Sequence, residues 1–491
     1  RSTLFPYTTL FRSRTGDAGY EVTLLDAEAW RLTVGEVVDR AADLDPNIIM
    51  TGHAGSTPAH PAVVSMARAL KKRLPAVPIV YGGVFPTYHA SEILDQESSI
   101  DIVVRGEGEA TIVHVMHAIA GGGGLAEVRG ISYRDCGEVR SNSPAEMIAD
   151  LDEIRVGWEL IDDWDRYQCW GMGRSAVVQF SRGCPHRCTY CGQRGFWTKW
   201  RYRDAAKIAA EIAWLYRQKG VRFVDLADEN PTSSKRLWQA FLEALIAENL
   251  PVKLFATIRA SDIVRDADIL HLYKRAGIEC VLMGMETTDP DTIVRIRKGS
   301  TTRDDSEAIR LLRRHGILSM VGHIVGFEQE TWRDYWRSLR QLLVYDPDLL
   351  NAMYVTPHRW TGFYKENERR EVINADQSRW DYRHQILATR HLRPWQIFTF
   401  VKLTEAIIHL RPRALWRAWL YADRDQRRAY RWCMRHSSRV WLEEIRELFR
   451  RRRPIAESRT LAEIAGAHSS DEAPLAPYPS GRTPFHRAQP L

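Results

Sequence analysis

Short apolar runs alternate with longer stretches of helical periodicity in the first quarter of the chain. Strands are predicted at 20–26, 47–50, 78–81 and 101–104, and helices at 34–44 and 62–74. Short apolar strands separated by helices favour a parallel, doubly wound sheet, which is an α/β fold. Ligands on such sheets bind over the carboxyl ends of the strands.

The same alternation resumes beyond residue 173. An apolar strand at 176–180 begins a series of strand–helix units that we extend to residue 366. The first helix of this series is expected to begin after Asp204, a good N-cap, and to end at Gly220. A run of glycines at 121–124, a short hairpin and an acidic linker separate the two series. We therefore expect two α/β domains joined by a linker.

Composition and charge place this chain among ordinary globular proteins. It has 491 residues, of which 69 are basic and 62 acidic, so the formal net charge is +7, with the excess toward the C-terminus. No apolar run reaches the length of about eighteen residues that a membrane-spanning helix needs. Four of the seven cysteines are scattered singly, which is not typical of a disulfide framework. We therefore expect a reducing, cytoplasmic compartment.

The other three cysteines, Cys184, Cys188 and Cys191, lie close together at the spacing C-x₃-C-x₂-C. Thiolates this close can converge on one soft metal centre. A tetrahedral zinc site would need a fourth ligand, which His186 inside the loop could supply. The spacing alone leaves an iron–sulfur site, a zinc site and three unrelated thiols as alternatives.

The context of these cysteines carries a family resemblance. The loop follows an apolar strand, and an aromatic residue, Tyr190, precedes its third cysteine. In both respects it resembles the signature of the radical S-adenosylmethionine (SAM) enzymes. The resemblance implies that the three cysteines are the catalytic metal ligands of a 4Fe–4S cluster whose fourth iron binds SAM. It also implies a partial (β/α)₆ barrel with Tyr190 and the cofactors at the C-terminal ends of its strands.

Polar residues and glycines follow the strands of this second series. The resemblance assigns Asp228 and Glu229 to the amino end of SAM and Glu286 to its ribose hydroxyls. It places Gly322 and Gly326 beside the adenine. An acidic residue at a strand end can equally be a helix cap. Repetition in register with the cysteine loop favours the cofactor-binding role.

Three loops at strand ends of the first domain contain small residues, which allow a ligand to approach the backbone closely. The candidate cofactor-binding residues in them are His53, Ser56 and Thr57, then Gly82 and Gly83, then Gly106 and Glu107. Glycines in such loops can also be simple tight turns. Together and in this order, the loops resemble the cobalamin-binding domain that precedes many radical SAM domains. The resemblance implies bound cobalamin without a histidine ligand to cobalt, because Thr51 and Ser56 replace the Asp and Gly of that ligand motif.

Between residues 381 and 453 the chain is rich in arginine and tryptophan. Stacked helices with solvated arginine faces are one interpretation. Peripheral contact with a membrane surface, or recognition of carboxylates, is the other. No nucleic-acid-binding motif accompanies the charge, so nucleic acid is not expected as a partner.

These patterns divide the chain into six parts. Residues 1–14 form a leader that resembles a translated sequencing adapter, 15–124 the cobalamin-binding domain and 125–172 a hairpin and linker. Residues 173–366 form the radical SAM core, 367–453 a helical region, and 454–491 a disordered tail. We expect the natural chain to begin earlier, with a first strand and helix that this sequence lacks.

A finer resemblance comes from residues 51–61, 183–193, 381–385 and 393–395. These stretches are similar to those of the anaerobic magnesium-protoporphyrin IX monomethyl ester cyclases. The resemblance implies oxidation of an esterified propionate with oxygen from water, and closure of the isocyclic ring of bacteriochlorophyll to give protochlorophyllide. It implies a porphyrin substrate and an electron donor such as a ferredoxin or flavodoxin. A cobalamin-dependent radical SAM methyltransferase, and a non-enzymatic zinc- or cobalamin-binding protein, are the alternatives.

Overall fold

The computed structural model describes residues 15–53, 57–193, 195–421, 423–450 and 459–464. The predicted leader, residues 1–14, lies outside them. Two large sheets organise the described residues, one in each of the predicted α/β domains.

The first sheet has five strands in the order β1-β2-β3-β4-β5. They are β1 (Ile49–His53), β2 (Ile79–Gly83), β3 (Ile102–Val104), β4 (Ile131–Asp135) and β5 (Glu138–Ser141). The first three are parallel, and the predicted hairpin adds β4, antiparallel to β3, and β5, antiparallel to β4. Its helices are α1 (Val34–Asp43), α2 (Ala59–Arg73), α3 (Val84–Tyr88), α4 (Ala90–Gln96) and α5 (Thr111–Ala120). Ile79 and Tyr81 pack into one apolar cluster and Val80 into another, so the sheet is covered on both faces as a doubly wound fold requires.

The second sheet has six parallel strands that follow one another in chain order. They are β6 (Ser175–Val178), β9 (Phe223–Leu226), β10 (Lys253–Thr257), β11 (Ile278–Glu286), β12 (Leu318–Val325) and β13 (Leu349–Tyr354). Between the first two, the short strands β7 (Ser181–Arg182) and β8 (Arg201–Tyr202) form an antiparallel ribbon. Six parallel strands in sequential order confirm the predicted partial barrel.

Helices connect and cover these strands. They are α6 (Ala205–Lys219), α7 (Lys235–Ala247), α8 (Ala260–Arg265), α9 (Leu270–Arg275), α10 (Pro290–Arg295), α11 (Thr302–Arg314), α12 (Trp332–Tyr345) and α13 (Gly362–Glu366). Short 3₁₀ turns lie at Leu125–Glu127, Leu151–Glu153, Trp158–Leu160, Trp164–Arg166, Pro231–Ser233 and Gln377–Arg379. As predicted, Asp204 caps α6, because its carboxylate accepts two backbone N–H groups, and Gly220 ends the helix in the left-handed conformation. Trp238 and Phe241 of α7 are fully buried in the barrel core.

The prediction of a strand at 20–26 was wrong, because these residues form no regular element. Tyr167 donates a hydrogen bond to the carboxylate of Asp26 at 2.9 Å. Leu24 packs against the apolar core of the barrel. The segment is therefore held along the barrel domain rather than in the first sheet, where β1 is the edge strand.

The arginine- and tryptophan-rich region is helical, as predicted. It contains β14 (Glu371–Val372), α14 (Pro394–Leu410), α15 (Pro412–Trp419) and α16 (Arg424–Arg450). Arg411 and Arg417 are not solvated, because both pair with Asp346 at the end of α12. No helix among the described residues is long and apolar enough to span a bilayer.

The prediction of a disordered tail from residue 454 was wrong for residues 459–464. Within them, β15 (Arg459–Thr460) pairs with β14 and leads into α17 (Leu461–Ile464). Leu461 is 1% exposed in an apolar cluster, and this burial holds the segment in place. The rest of the predicted tail lies outside the described residues.

Candidate functional site

The cysteine loop begins where β6 ends and is closed at its base by the ribbon of β7 and β8. Gly183 has φ +90°, and a Cβ there would lie 2.6 Å from the backbone oxygen of Lys199. Only glycine fits this close approach, so the turn into Cys184 depends on it. The loop therefore stands at the C-terminal end of the first barrel strand, as predicted.

The three predicted ligand cysteines share one small region. Burial raises the pKa of the Cys184 thiol to about 12, and the charges of Cys191 and Cys188 add to this. Arg259 lies beside them, with its Nη1 3.9 Å from the Cys188 Sγ. A desolvated group of thiolates beside one guanidinium suits a cluster whose irons take up the negative charge.

A single-ion zinc site would need its ligands to converge on one point. Within the described part of the chain, no three His, Cys, Asp or Glu side chains are placed to hold one metal ion. A 4Fe–4S cluster needs no such convergence, since each cysteine binds a different iron. Burial lowers the pKa of His186, the candidate fourth zinc ligand, to about 4. The geometry therefore fits the cluster.

Asp228 follows β9 and holds the strand that enters the loop. Its carboxylate accepts hydrogen bonds from the backbone N–H groups of Phe180 and Ser181 and from the Ser181 hydroxyl. Burial raises its pKa to about 7. Because three protein donors bind this carboxylate, Asp228 holds the strand that enters the loop. Its predicted contact with SAM stays a prediction.

Glu229 lies next to it and accepts a hydrogen bond from the Gly183 N–H at 3.1 Å. Burial and the neighbouring Asp228 raise its pKa to about 8. It is half-buried, in contrast to Asp228. The contact of Glu229 with SAM stays a prediction.

Glu286, at the end of β11, is buried in an ion pair with Lys298, whose Nζ lies 2.6 Å from its Oε1. Tyr190 lies beside the same carboxylate, and burial and this charge raise the pKa of its phenol. A Cβ at Gly284 would lie 2.1 Å from the Glu286 carboxylate, so the glycine makes room for the pair. Glu286 also has φ +64°, a strained conformation for a residue with a side chain. Its predicted contact with the ribose stays a prediction, and Lys298 was missed because it lies outside the strand ends.

Several buried polar atoms near the barrel's strand ends lack a hydrogen-bond partner among the described residues. They include Asn230 Nδ2 after β9, His323 Nδ1 on β12 and both carboxylate oxygens of Asp305 on α11. His323 stands next to Glu286 in the register of β11 and β12. Buried polar atoms are almost always satisfied, so these atoms fit a site for a polar ligand such as SAM.

Gly322 and Gly326 lie on and after β12, as predicted. A Cβ at Gly322 would lie 3.1 Å from the Met353 side chain, and Gly326 has φ +91°. Gly326 favours glycine through its backbone conformation, whereas a Cβ at Gly322 would displace only the flexible end of Met353. Their contact with adenine stays a prediction.

The loops predicted to hold cobalamin meet at one edge of the first sheet. The Thr87 hydroxyl donates to the Gly83 carbonyl at 2.7 Å and accepts from the Gly106 N–H at 2.9 Å. Gly82 lies on β2, between β1 and β3. A Cβ on Gly52 of β1 would lie 3.0 Å from the carbonyl oxygen of Gly82. A flat edge without side chains suits a large planar ligand, so the residues present fit cobalamin.

Three further candidates of this domain have different outcomes. His53 is the last residue of β1, and Thr57 lies a few residues further along the chain. Ser56 and the side chain of His53 lie outside the described residues. The Thr57 hydroxyl is bonded to His358 Nδ1 of the barrel domain at 3.0 Å. Thr57 therefore joins the two domains through its side chain.

The carboxylate of Glu107 is bonded mainly to the barrel domain. Its carboxylate accepts from Arg182 and Arg201 of the barrel domain and from the Ile148 N–H. Burial opposes ionisation, but the two arginines outweigh it and hold the pKa of Glu107 below its ordinary value. Both carboxylate oxygens are therefore bonded within the protein. The predicted contact of Glu107 with cobalamin stays a prediction.

An aromatic corner lies where the domains meet, and sequence reasoning missed most of it. Trp360 donates from its indole N–H to the Gly192 carbonyl at 2.7 Å and stacks on Tyr88 at 5.1 Å. His358 Nε2 lies 2.7 Å from the hydroxyl of Tyr382. Gly192 and Tyr382 lie within the stretches 183–193 and 381–385 that carry the finer resemblance, but nothing in the sequence indicates that they meet.

Comparisons with known proteins agree with this geometry. Residues 178–342 match the radical SAM superfamily, and residues 13–116 match the B12 binding domain. The anaerobic magnesium-protoporphyrin IX monomethyl ester cyclase of Synechocystis sp. is 50% identical over 460 residues, covering 94% of this chain and 92% of the relative. The protein of the same name from Cereibacter sphaeroides is 32% identical over 386 residues, covering 76% of this chain and 62% of the relative.

Among solved structures, the cobalamin-dependent S-adenosylmethionine radical enzyme OxsB, with aqua-cobalamin and S-adenosylmethionine bound, has a TM-score of 0.65. It is 18% identical and the match covers 88% of this chain and 68% of that one, which supports the shared fold. The chain contains a cobalamin-binding domain and a radical SAM domain, and its cofactors are a 4Fe–4S cluster, SAM and cobalamin. Half of the 460 aligned residues are identical to those of one curated relative, over nearly the full length of both. The chain therefore belongs to the family of anaerobic magnesium-protoporphyrin IX monomethyl ester cyclases.

Proposed function

We propose that this enzyme converts magnesium-protoporphyrin IX monomethyl ester to protochlorophyllide without dioxygen, in bacteriochlorophyll biosynthesis. The carrying observation is the cysteine loop, placed at the strand ends of a chain that is 50% identical to a curated cyclase. The reaction oxidises the esterified propionate with oxygen from water and closes the isocyclic ring.

The cofactors supply the difficult chemistry, since a SAM-derived radical can abstract hydrogen from an unactivated methylene and cobalamin is a further redox partner. The protein's own residues hold and orient them. Cys184, Cys188 and Cys191 bind the cluster, and Asp228 fixes the strand that presents their loop. Glu286, held by Lys298, faces the strand ends where SAM binds. Such positioning accounts for much of the barrier reduction when reactants must be brought together.

The experiment is anaerobic reconstitution with iron, sulfide, cobalamin, SAM and a reductant, with magnesium-protoporphyrin monomethyl ester as substrate. Products are followed by absorbance and by mass in ¹⁸O-labelled water. Protochlorophyllide containing the label is the expected product, and the Cys188→Ser variant should form none. A methylated product together with S-adenosylhomocysteine would instead establish the methyltransferase alternative.

Electron delivery is assigned to a small acidic carrier such as a ferredoxin or flavodoxin. The formal net charge of +7 favours encounter with an acidic protein. Reduction of the cluster by such a carrier should slow steeply as ionic strength rises, because salt screens the attraction between exposed charges. A rate independent of salt would contradict an electrostatic encounter. This role is consistent with a reducing, cytoplasmic compartment.

Peripheral membrane contact is assigned to the C-terminal helices. Trp416 and Trp419 of α15 are 49% and 59% exposed, and Leu420 after them is 69% exposed. Amphipathic tryptophans beside arginines are typical of interfacial helices. The Trp416→Ala/Trp419→Ala variant should sediment less with anionic vesicles than the wild-type protein. Equal sedimentation of the two proteins would contradict this contact.

A further inference from the structure

A buried cluster of four charged side chains joins the two domains beneath the cysteine loop. Glu107 and Glu109 come from the loop after β3, and Arg182 and Arg201 come from the ribbon of β7 and β8. The exposed fractions of their side chains are 2% for Glu107, 4% for Glu109, 4% for Arg182 and 11% for Arg201. Two cations and two anions balance, which a cluster so far from water requires.

The ribbon of β7 and β8 brings two positive charges together. Arg182 and Arg201 are direct partners in its antiparallel register, so two guanidinium groups face each other. Like charges directly opposite on neighbouring strands are destabilising, and burial strengthens the repulsion. The ribbon closes the base of the loop that carries Cys184, two residues after Arg182. Its closure therefore needs an anion from elsewhere in the molecule.

Glu107 supplies that anion from the cobalamin-binding domain. Its Oε1 lies 3.0 Å from Arg182 Nη1 and 2.8 Å from Arg201 Nη2, and its Oε2 lies 2.8 Å from Arg201 Nη1. Glu109 accepts from Arg182 Nη2 at 2.6 Å. One carboxylate thus pairs with both arginines of the ribbon at the base of the cysteine loop.

The same loop is connected to the glycine edge that suits cobalamin. Thr87 links the Gly83 carbonyl to the Gly106 N–H, and Glu107 is the next residue. Hydrogen bonds of Thr87, the peptide bond from Gly106 to Glu107 and the ion pair with Arg182 therefore connect the cobalamin edge to the residue before Gly183. A contiguous, well-packed network of this kind can carry coupling between two sites.

We propose that Glu107 is a positioning residue that completes the cluster loop from the other domain, and that it couples cluster binding to cobalamin binding through Thr87. The cysteine loop then has its binding geometry only when the cobalamin-binding domain is docked. Because coupling between two binding sites is reciprocal, the cluster must raise cobalamin affinity by the factor by which cobalamin raises cluster affinity.

The test compares wild-type protein with Glu107→Gln, which keeps the shape and removes the charge. The matched control is Glu97→Gln in the same domain, because Glu97 pairs with the largely exposed Arg68. After reconstitution, the readouts are the rate of iron loss to a chelator, the g values of the reduced cluster and the affinity for cobalamin. None of them uses the porphyrin, so their outcome is independent of the cyclase reaction.

We expect Glu107→Gln to lose iron about tenfold faster, as is typical when a group that orients metal ligands is removed. Cobalamin should slow iron loss in the wild-type protein and in Glu97→Gln, but not in Glu107→Gln. Removing one cation as well, in Glu107→Gln/Arg201→Gln, should restore part of the retention because the charges balance again. Retention, g values and cobalamin response equal to the wild-type protein in Glu107→Gln would overturn the proposal.

Thr87→Val provides an independent arm, since it changes no charge and breaks only the link between Gly83 and Gly106. It should hold its cluster normally without cobalamin and lose the cobalamin response. If Glu107→Gln does not fold, Thr87→Val tests the proposed coupling on its own. An unchanged effect of cobalamin on iron loss in Thr87→Val would overturn the coupling.

Discussion

The buried pair of Glu286 and Lys298 allows a quantitative test of the barrel site. Their charged atoms are 2.6 Å apart, and both side chains are 7% exposed. Replacing Lys298 by Met leaves the Glu286 carboxylate buried without a cation, and such losses cost about 3–5 kcal/mol of unfolding free energy. Removing both charges, in Lys298→Met/Glu286→Leu, should recover most of this, because an apolar pair of similar volume is often neutral in its effect.

The two single variants should differ. Asp305 lies near Lys298, its carboxylate has no hydrogen-bond partner among the described residues, and burial raises its pKa to about 8. In Glu286→Gln, Asp305 can ionise and balance the lysine, so the cost should fall to about 1.5–3 kcal/mol, the value of a hydrogen bond to a charged group. Lys298→Met instead removes the cation that contacts the Glu286 carboxylate directly, so its cost should be the larger of the two.

The assay is urea unfolding of the metal-free protein, followed by tryptophan fluorescence, since Trp238 is fully buried in the barrel core. The control is Lys235→Met, because Lys235 and Asp268 are also 2.6 Å apart but are 33% and 68% exposed. An exposed pair contributes about 0–1 kcal/mol. A cost for Lys298→Met no larger than that of Lys235→Met would refute the assignment of a buried, coupled pair.

Three further outcomes are expected. Cys188→Ser should lose bound iron after reconstitution, whereas Cys136→Ser, on an exposed turn, should retain it; equal iron contents would contradict the ligand assignment. Asp228→Asn places an amide donor against backbone donors, so its thermal midpoint should fall, with a loss of about 1–3 kcal/mol in unfolding free energy. An unchanged midpoint would show that Asp228 does not hold the strand that enters the loop. Burial lowers the pKa of His384, but its hydrogen bonds to two carboxylates outweigh this and leave it raised. The stability advantage of wild-type protein over His384→Gln should therefore be complete below about pH 6.5 and disappear as pH rises through the raised pKa; an advantage that grows with pH would contradict it.

Local pattern was sufficient for most of the fold. The strands of both sheets were predicted because their apolar runs are short, are bounded by turn residues and alternate with stretches of helical periodicity. The same logic failed at 20–26, where Leu24 and Tyr20 suggested a strand but the partner, Tyr167 on the linker, lies far along the chain. It failed again at Leu461, whose burial depends on a distant cluster rather than on neighbouring residues.

The cysteine loop was predicted because its three cysteines lie within eight consecutive residues, so their spacing alone indicates a shared site. The acidic candidates were harder to assign because their partners are distant. Arg182 lies 75 residues from Glu107, and Arg201 lies 94 residues from it. A glycine-flanked glutamate at a strand end has the same local pattern whether it binds a ligand or an arginine from another domain. Lys298 gave no local signal at all, since its role depends on Glu286.

Polar residues at the strand ends can be told apart by whether their polar atoms have hydrogen-bond partners in the protein, although their sequence positions are alike. Asp228 and Glu107 stand at strand ends, and every hydrogen bond described for their carboxylates comes from a protein donor, so both help to shape the site. Asn230 and His323 also stand at strand ends, but each retains a buried polar atom without a partner among the described residues. Leaving such an atom unpaired costs about 1–3 kcal/mol, a penalty that a bound ligand removes. Direct contacts with SAM should therefore be sought first at Asn230 and His323, and the acidic residues beside them should affect binding mainly through the geometry of the loop.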